Sequence, residues 1–389
     1  LPEWVSSIKL RGSYGKLGNN TIAPYFFATT INSFAGYDFN NALAPGTTVV
    51  ASLDPNVKWE DNETTDVAVE IGLFDNDLQF TAEYFVKNST NLLIGVPLPY
   101  STGAFPASIT TNAGAMENKG FEFSATYNNN HKEFKYSISA NLGTLQNEVK
   151  QIGINGNPIY GAASKTEVGR SMGEIFAYET AGIFQDAADL AASPTQTNAG
   201  VGDLKFKDIN EDGMISDLDR TYQGITIPKY SYGVNFSANY KNWDFSMFWQ
   251  GAGGNKVFNS IYRNLMAGQY GNHHTDMLNY WTPTNTNTDV PRPIIGDPNG
   301  NTRDSNRFIQ SGDYLRLQTM EIGYEIPVPA NSVIQKAKLF VNGQNLWTIT
   351  KYTGADPDFN SNDGSFSRGY DNGSFPNPRT VSLGVEVNF

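Results

Sequence analysis

The stretch that decides the fold is RTVSLGVEVNF, Arg379 to Phe389. Read with a period of two, Val381, Leu383, Val385, Val387 and Phe389 point one way, while Ser382, Gly384, Glu386 and Asn388 point the other. One face is apolar and the other polar. A strand with a fully apolar face must lay that face on a core or on lipid, and its backbone must find partners or remain a sticky edge.

Working outward, the same alternation recurs in segments of about ten residues, the span of a transmembrane strand. Leu78, Phe80, Ala82, Tyr84 and Val86 alternate with Gln79, Thr81, Glu83 and Lys87, and Phe134, Tyr136, Ile138, Ala140 and Leu142 alternate with Lys135, Ser137, Ser139 and Asn141. Further strands are expected at Ile8 to Leu17, Asp66 to Phe74, Gly120 to Tyr127, Tyr230 to Tyr240, Trp243 to Gln250, Tyr314 to Ile326 and Ala337 to Trp347. In Tyr314 to Ile326 the apolar phase shifts from Leu315 and Leu317 to Met320, Ile322 and Tyr324, which predicts a β-bulge.

The connections sort into two kinds. Asp75 to Asp77, Asn128 to Glu133 and Lys241 to Asn242 read as tight polar hairpins. Between them run long excursions: Gly18 to Glu63, which opens GNNTIAPYF, then Asn88 to Met116, Gln146 to Tyr178, Gly251 to Asp313 and Thr348 to Pro378. A soluble sandwich has no reason to sort its loops this way, whereas an outer-membrane barrel keeps periplasmic turns short and extracellular loops long. Aromatics at strand ends (Tyr84, Tyr127, Tyr240, Trp243, Trp249 and Trp347) suit girdles at the two interfaces, although Tyr and Trp favour strands in general. The expected class is therefore all-β: a transmembrane antiparallel β-barrel.

Composition agrees and excludes much else. The 389 residues show no break that would divide them into domains, and mean hydropathy is -0.41 with no run long enough for a membrane-spanning helix. Strands that give every second residue to a polar lumen lower hydropathy without leaving the membrane. The absence of Cys removes disulfides and thiolate chemistry. A net charge of -12 offers no basic surplus to replace phosphate counterions, so no nucleic-acid partner is expected. The opening LPEWVSS has no Met and no leader pattern, which predicts that the natural amino end is missing.

Seven stretches, in order, resemble the SusC/RagA-type TonB-linked (TonB-dependent) outer-membrane transporters of Bacteroidetes over essentially the whole chain. They are LRGSYGKLGNN, GAMENKGFEFSATY at Gly114 to Tyr127, GDLKFKDINEDGMISDLDRTYQG at Gly202 to Gly224, FWQGAGGNKVFN at Phe248 to Asn259, SGDYLRLQTMEIGYEIP at Ser311 to Pro327, VNGQNLWTITKYTGADPD at Val341 to Asp358, and PNPRTVSLGVEVNF. The resemblance implies a plugged barrel of about 22 strands, of which residues 1–389 supply about the C-terminal half, with the plug domain and first strands absent. It also implies a TonB-contact segment, a SusD-like lid lipoprotein, a location in the outer membrane of a Gram-negative bacterium, and Phe389 as the signal read by the barrel-assembly machinery.

Candidate sites each have a plainer alternative. DINEDGMISDLD places Asp208, Asn210, Asp212, Gly213 and Asp219 at positions one, three, five, six and twelve of a calcium loop, with the Met214 carbonyl at seven. Alternate oxygens would converge on one hard cation, making Ca2+ the one candidate cofactor; the alternative is an acidic turn closed by its own hydrogen bonds. His273, His274 and Asp276 suit a transition metal by type, but adjacent His on a loop usually face apart. GAGG at Gly251 to Gly254 reads as a bend where a strand leaves the membrane, since no helix or Lys-Ser/Thr pair follows it. No catalytic constellation stands out, so no enzyme is expected. Aromatic and amide-rich loops single out Tyr280, Trp281, Tyr352 and Phe359 for stacking on sugar or gripping peptide.

The function expected is TonB-dependent import of a nutrient, an oligosaccharide or peptide, across the outer membrane together with the lid lipoprotein. The competing reading is a secreted or surface glycan-binding β-protein whose apolar strand faces would be covered by a second sheet. A passive porin is a third.

Overall fold

The computed structural model describes residues 2–20, 31–49, 52–99, 101, 108–267, 271–329, 332–359 and 364–389. All of TIAPYF, Thr21 to Phe26, lies outside them with residues 27–30, as do residues 360–363 of the last long loop.

All ten strands expected from the alternation form, several of them longer than expected. In chain order they are Val5–Asn19, Glu60–Leu73, Leu78–Pro97, Ser108–Asn129, Phe134–Thr144, Tyr230–Tyr240, Trp243–Gly253, Tyr314–Ile326, Lys336–Thr350 and Thr380–Asn388. Each pairs antiparallel with the next one in this series, so the wall is a simple meander. Two shorter strands complete a 12-stranded sheet: Gln146–Ile152 and Ser52–Leu53 pair with Ser108–Asn129, the latter in parallel. Among the described residues the sheet is open, with Val5–Asn19 and Thr380–Asn388 at its edges.

The register carries the two-faced pattern across the whole wall. Leu10 lies opposite Val69, Tyr84 opposite Phe121, Ile138 opposite Phe236, Phe245 opposite Ile322, and Val341 opposite both Ile322 and Leu383. These apolar rows face outward: Leu10 is 80% exposed and Leu383 72% exposed, and no second sheet covers them among the described residues. The other face holds polar rows such as Ser124 opposite Asn141, Ser139 opposite Asn235, and Ser237 opposite Ser246. On that face Arg11 donates to Glu83 at 2.6 Å and to Glu70 at 3.3 Å, and Lys338 reaches Asp244 at 2.8 Å and Glu321 at 2.9 Å. The apolar face instead shows ring pairs near the short-turn end, Trp243 with Tyr324 at 4.8 Å and Phe134 with Tyr240 at 6.4 Å, and near the other end Trp249 with Trp347 at 6.1 Å.

Short connections all lie at one edge of the sheet: residues 74–77, 130–133, 241–242 and 327–335. The last of these escaped the sequence reading. Asn88 to Met116, expected as an excursion, is mostly an extended hairpin in which Pro97 still pairs with Ser108. The excursion that begins at Gln146 runs on past Tyr178 to Pro228. The bulge expected in Tyr314–Ile326 sits at Gln318, which the register skips against both neighbouring strands.

Gly120, inside GAMENKGFEF, marks a change of partner. Residues Glu122 to Asn129 pair with Phe134–Thr144, whereas Gly114 to Lys119 pair with Gln146–Ile152. At the junction a Cβ on Gly120 would lie 1.8 Å from the Thr144 carbonyl oxygen. Only glycine permits this approach.

The wall itself has almost no core. Buried apolar clusters lie in the long connections: Ile175, Ala177, Phe258, Met266, Val290 and Phe308 in one, and Tyr178, Ile183, Leu204, Phe206 and Trp281 in another. The loops therefore fold on their own hydrophobic interior, while the strands turn theirs outward.

Two substitutions test this layout. Leu383→Arg should cost about 2–4 kcal/mol in urea unfolding from lipid vesicles, and Ser382→Arg at most about 1 kcal/mol; equal costs would contradict the facing. Gly120→Ala should destabilise by about 1–3 kcal/mol and lower the yield of folded, heat-modifiable protein.

Candidate functional site

At the edge carrying the long connections, Ala252 and Tyr314 end the polar-facing rows of neighbouring strands. Above them lies a cavity of about 370 Å³, walled by Asn255, Gly312, Tyr314, Asp358, Phe359 and Arg368, among others. Its walls come from three long connections together with the strand ends beneath them, so it forms only when the loops assemble.

A buried arginine fixes the outermost wall. Arg316 sits on the polar face of Tyr314–Ile326 with its side chain 3% exposed. It pairs with Asp356, lies 3.5 Å from Asp358, and donates to the Thr348 hydroxyl at 3.0 Å. The second Asp356 oxygen accepts from the Asn377 backbone and side-chain amides, each at 3.0 Å. Three motif stretches quoted above, DYLRLQ, GADPD and PNPR, thus meet at one ion pair. A charge this far from water persists only when paired and hydrogen-bonded.

A second network fixes the middle connections. Asp203 is fully buried and accepts from Arg292 Nε at 2.9 Å and Nη2 at 2.8 Å, from Asn301 at 3.1 Å and from the Gly200 amide at 2.8 Å. The hydrogen bond to Asp203 raises the Arg292 pKa despite partial burial. Asn299 and Gln196 extend the chain of bonds to the Leu204 carbonyl. This fork-on-carboxylate geometry ties GDLKFKD to the segment Pro291 to Arg303.

The four aromatic positions singled out from sequence divide evenly. Trp281 is buried among Tyr178, Ile183, Leu204 and Phe206 and donates its indole N–H to Gln185 at 3.0 Å. Tyr352 is buried and donates to Asp371; burial and that acceptor push its pKa well up. These two hold loops together rather than presenting open ring faces. Tyr280 is 40% exposed, and Phe359 stacks on Tyr352 while lining the cavity. Sequence reading gave no weight to Arg316, Asp356, Asp203 or Arg292; for the first three the signal available was their place inside the quoted motifs, and for Arg292 there was none.

In the acidic turn the oxygens are engaged by the chain itself. Asp208 accepts from the Gly213 amide at 2.8 Å and the Asp212 amide at 3.2 Å, Asp212 from Met214 at 2.9 Å, and Asn210 donates to Asp212 at 2.8 Å. Asp219 is fully buried; burial opposes its charge, but amide donors from Ser216, Ile209 and Asn210 keep its pKa below the usual carboxylate value. Among the described residues no group of three or more His, Asp or Glu is placed to hold a metal ion. His274 accepts from the Asp276 amide at 3.2 Å and packs edge-on against Tyr262, whose hydroxyl donates to Asp276 at 2.8 Å. Burial and that bond push Tyr262 up to about 12. Gly254, with φ +80°, makes the bend expected where the Trp243–Gly253 strand ends.

Comparison with known proteins places this arrangement. A family model described as TonB dependent receptor-like, beta-barrel matches residues 2–346. Over 99% of its length the chain is 32% identical to TonB-dependent receptor P3 of Formosa agariphila, of which it covers 40%. It is 23% identical, again over 99% of its length, to TonB-dependent receptor SusC of Bacteroides thetaiotaomicron, of which it covers 38%. Among solved structures, that of the RagAB peptide transporter superposes with a TM-score of 0.81 at 23% identity, over 99% of this chain and 41% of the other. The chain thus spans about two fifths of the length of the relatives it matches.

Arg316→Met should strand the Asp356 carboxylate and cost about 3–5 kcal/mol, while Arg316→Met with Asp356→Leu should recover most of that loss. Protease cleavage within residues 351–378 would report the first change and its reversal.

Proposed function

The chain belongs to the TonB-dependent receptor-like β-barrel family, and from that premise we propose that it supplies wall and mouth to an active importer of an oligosaccharide or peptide. It is an outer-membrane β-barrel protein of the Gram-negative type, with short periplasmic turns and long extracellular loops. The observation that carries the proposal is the inversion of burial: apolar side chains are exposed along the wall and buried in the loops. Such a wall suits hydrocarbon outside and water inside. Loops with their own core suit a rigid receptor for ligand.

In this reading the loops capture the nutrient under a SusD-like lipoprotein lid, and a plug elsewhere in the protein moves when TonB transmits energy from the inner membrane. No covalent step is involved. The chain's own residues hold the mouth in shape: Arg316 and Asp356 fasten the last long loop to the wall, and Asp203 with Arg292 fastens the middle ones. RagAB is named as a peptide transporter, which favours peptide as one of the two cargo classes.

The test is uptake by intact cells. A labelled nutrient should enter only with this protein present and TonB functional, and a tagged copy should co-purify with a lipoprotein. Uptake that persists without TonB would identify a passive pore and overturn the proposal.

A further inference from the structure

The described chain contains an arginine with nothing to pair with. Acidic residues outnumber basic ones 39 to 27, and most of the Arg and Lys side chains of wall and loops meet a carboxylate. Arg368 makes no ion pair or hydrogen bond among the described residues, and it is exposed at the wall of the mouth cavity. Apart from Asp358, the other described residues that line this cavity are uncharged, among them Gly364, Ser365, Gly369 and Thr226. Asp358, the carboxylate of the same cavity, is already engaged by Arg316 at 3.5 Å.

The same cavity contains an acceptor without a donor. The side-chain oxygen of Asn255 is buried and has no hydrogen-bond partner. An acceptor left so costs free energy that a bound donor would recover. A free guanidinium and an unsatisfied amide oxygen in one cavity describe the complement of a ligand bearing a carboxylate beside an N–H or O–H. The planar guanidinium fork matches a carboxylate, and Asp358 nearby disfavours a doubly charged group such as phosphate. At about 370 Å³ the cavity has room for the end of a chain rather than for its length.

We propose that Arg368 selects the cargo by binding a carboxylate of the imported ligand in the mouth cavity, with the Asn255 side chain accepting a hydrogen bond from the N–H or O–H beside that carboxylate. The inference rests on the import reading above and narrows it to acidic cargo. The carboxylate belongs either to the end of a peptide or to a uronic acid of a saccharide.

The experiment uses the intact protein purified from outer membranes in detergent, with its lipoprotein retained if it co-purifies. Isothermal titration compares trialanine with trialanine amide, and digalacturonate with its methyl ester. In at least one pair the carboxylate should bind about tenfold tighter than its neutral counterpart. Arg368→Gln should abolish that preference, Arg368→Lys should keep part of it, and Lys132→Gln, in a short turn, should leave it unchanged. The pair that shows the preference identifies the source of the carboxylate. Absence of a preference in both pairs, or its survival in Arg368→Gln, overturns the inference. TonB-dependent uptake measured on the same variants separates the two readings: uptake intact with no charge preference sinks only this one.

Discussion

Everything in this structure follows from the need to pair every backbone N–H and C=O of the wall where no water is available. In hydrocarbon an unpaired peptide group costs several kcal/mol, so strands can cross only when each is bonded on both sides. The meander meets that demand, strand against next strand, for every wall strand between its two edges. With the backbone satisfied, side chains can alternate between lipid and water. The ladder is what permits Phe121 or Ile322, on strands bonded on both sides, to remain exposed.

The loops answer a different constraint. They stand in water and must bury their own apolar residues, which they do around Phe258, Phe308, Phe206 and Trp281. Apolar packing alone does not orient a loop over a wall of polar side chains. Orientation comes from directional contacts, chiefly the Arg316 and Asp356 pair and the Arg292 fork on Asp203. Both pairs join segments far apart in sequence, so the mouth takes shape only after the wall has set their separation.

The same division explains what could be read early. The strands were legible because the period-two pattern is local and survives in any context that keeps one face apolar; even the bulge at Gln318 announced itself as a phase shift. Connections were read less well. The hairpin from Leu78–Pro97 to Ser108–Asn129 continues beyond the expected strands, where alternation weakens because both faces meet water or other loops. Trp281 and Tyr352 were picked out by residue type, which does not distinguish a ring offered to ligand from one spent on packing. The glycine in GAMENKGFEF was visible, but its reason, a carbonyl oxygen where a Cβ would sit, was not.

By itself the sequence determined the class of fold, the number and order of wall strands, and which face of each is apolar, because those properties depend on neighbours one or two residues apart. Only the tertiary structure decided which polar residues meet at the mouth: that Asp356 finds both Arg316 and Asn377, and that Arg368 finds no partner among the described residues. Those outcomes depend on distances between segments tens of residues apart, which a continuous ladder of hydrogen bonds fixes and no local pattern encodes.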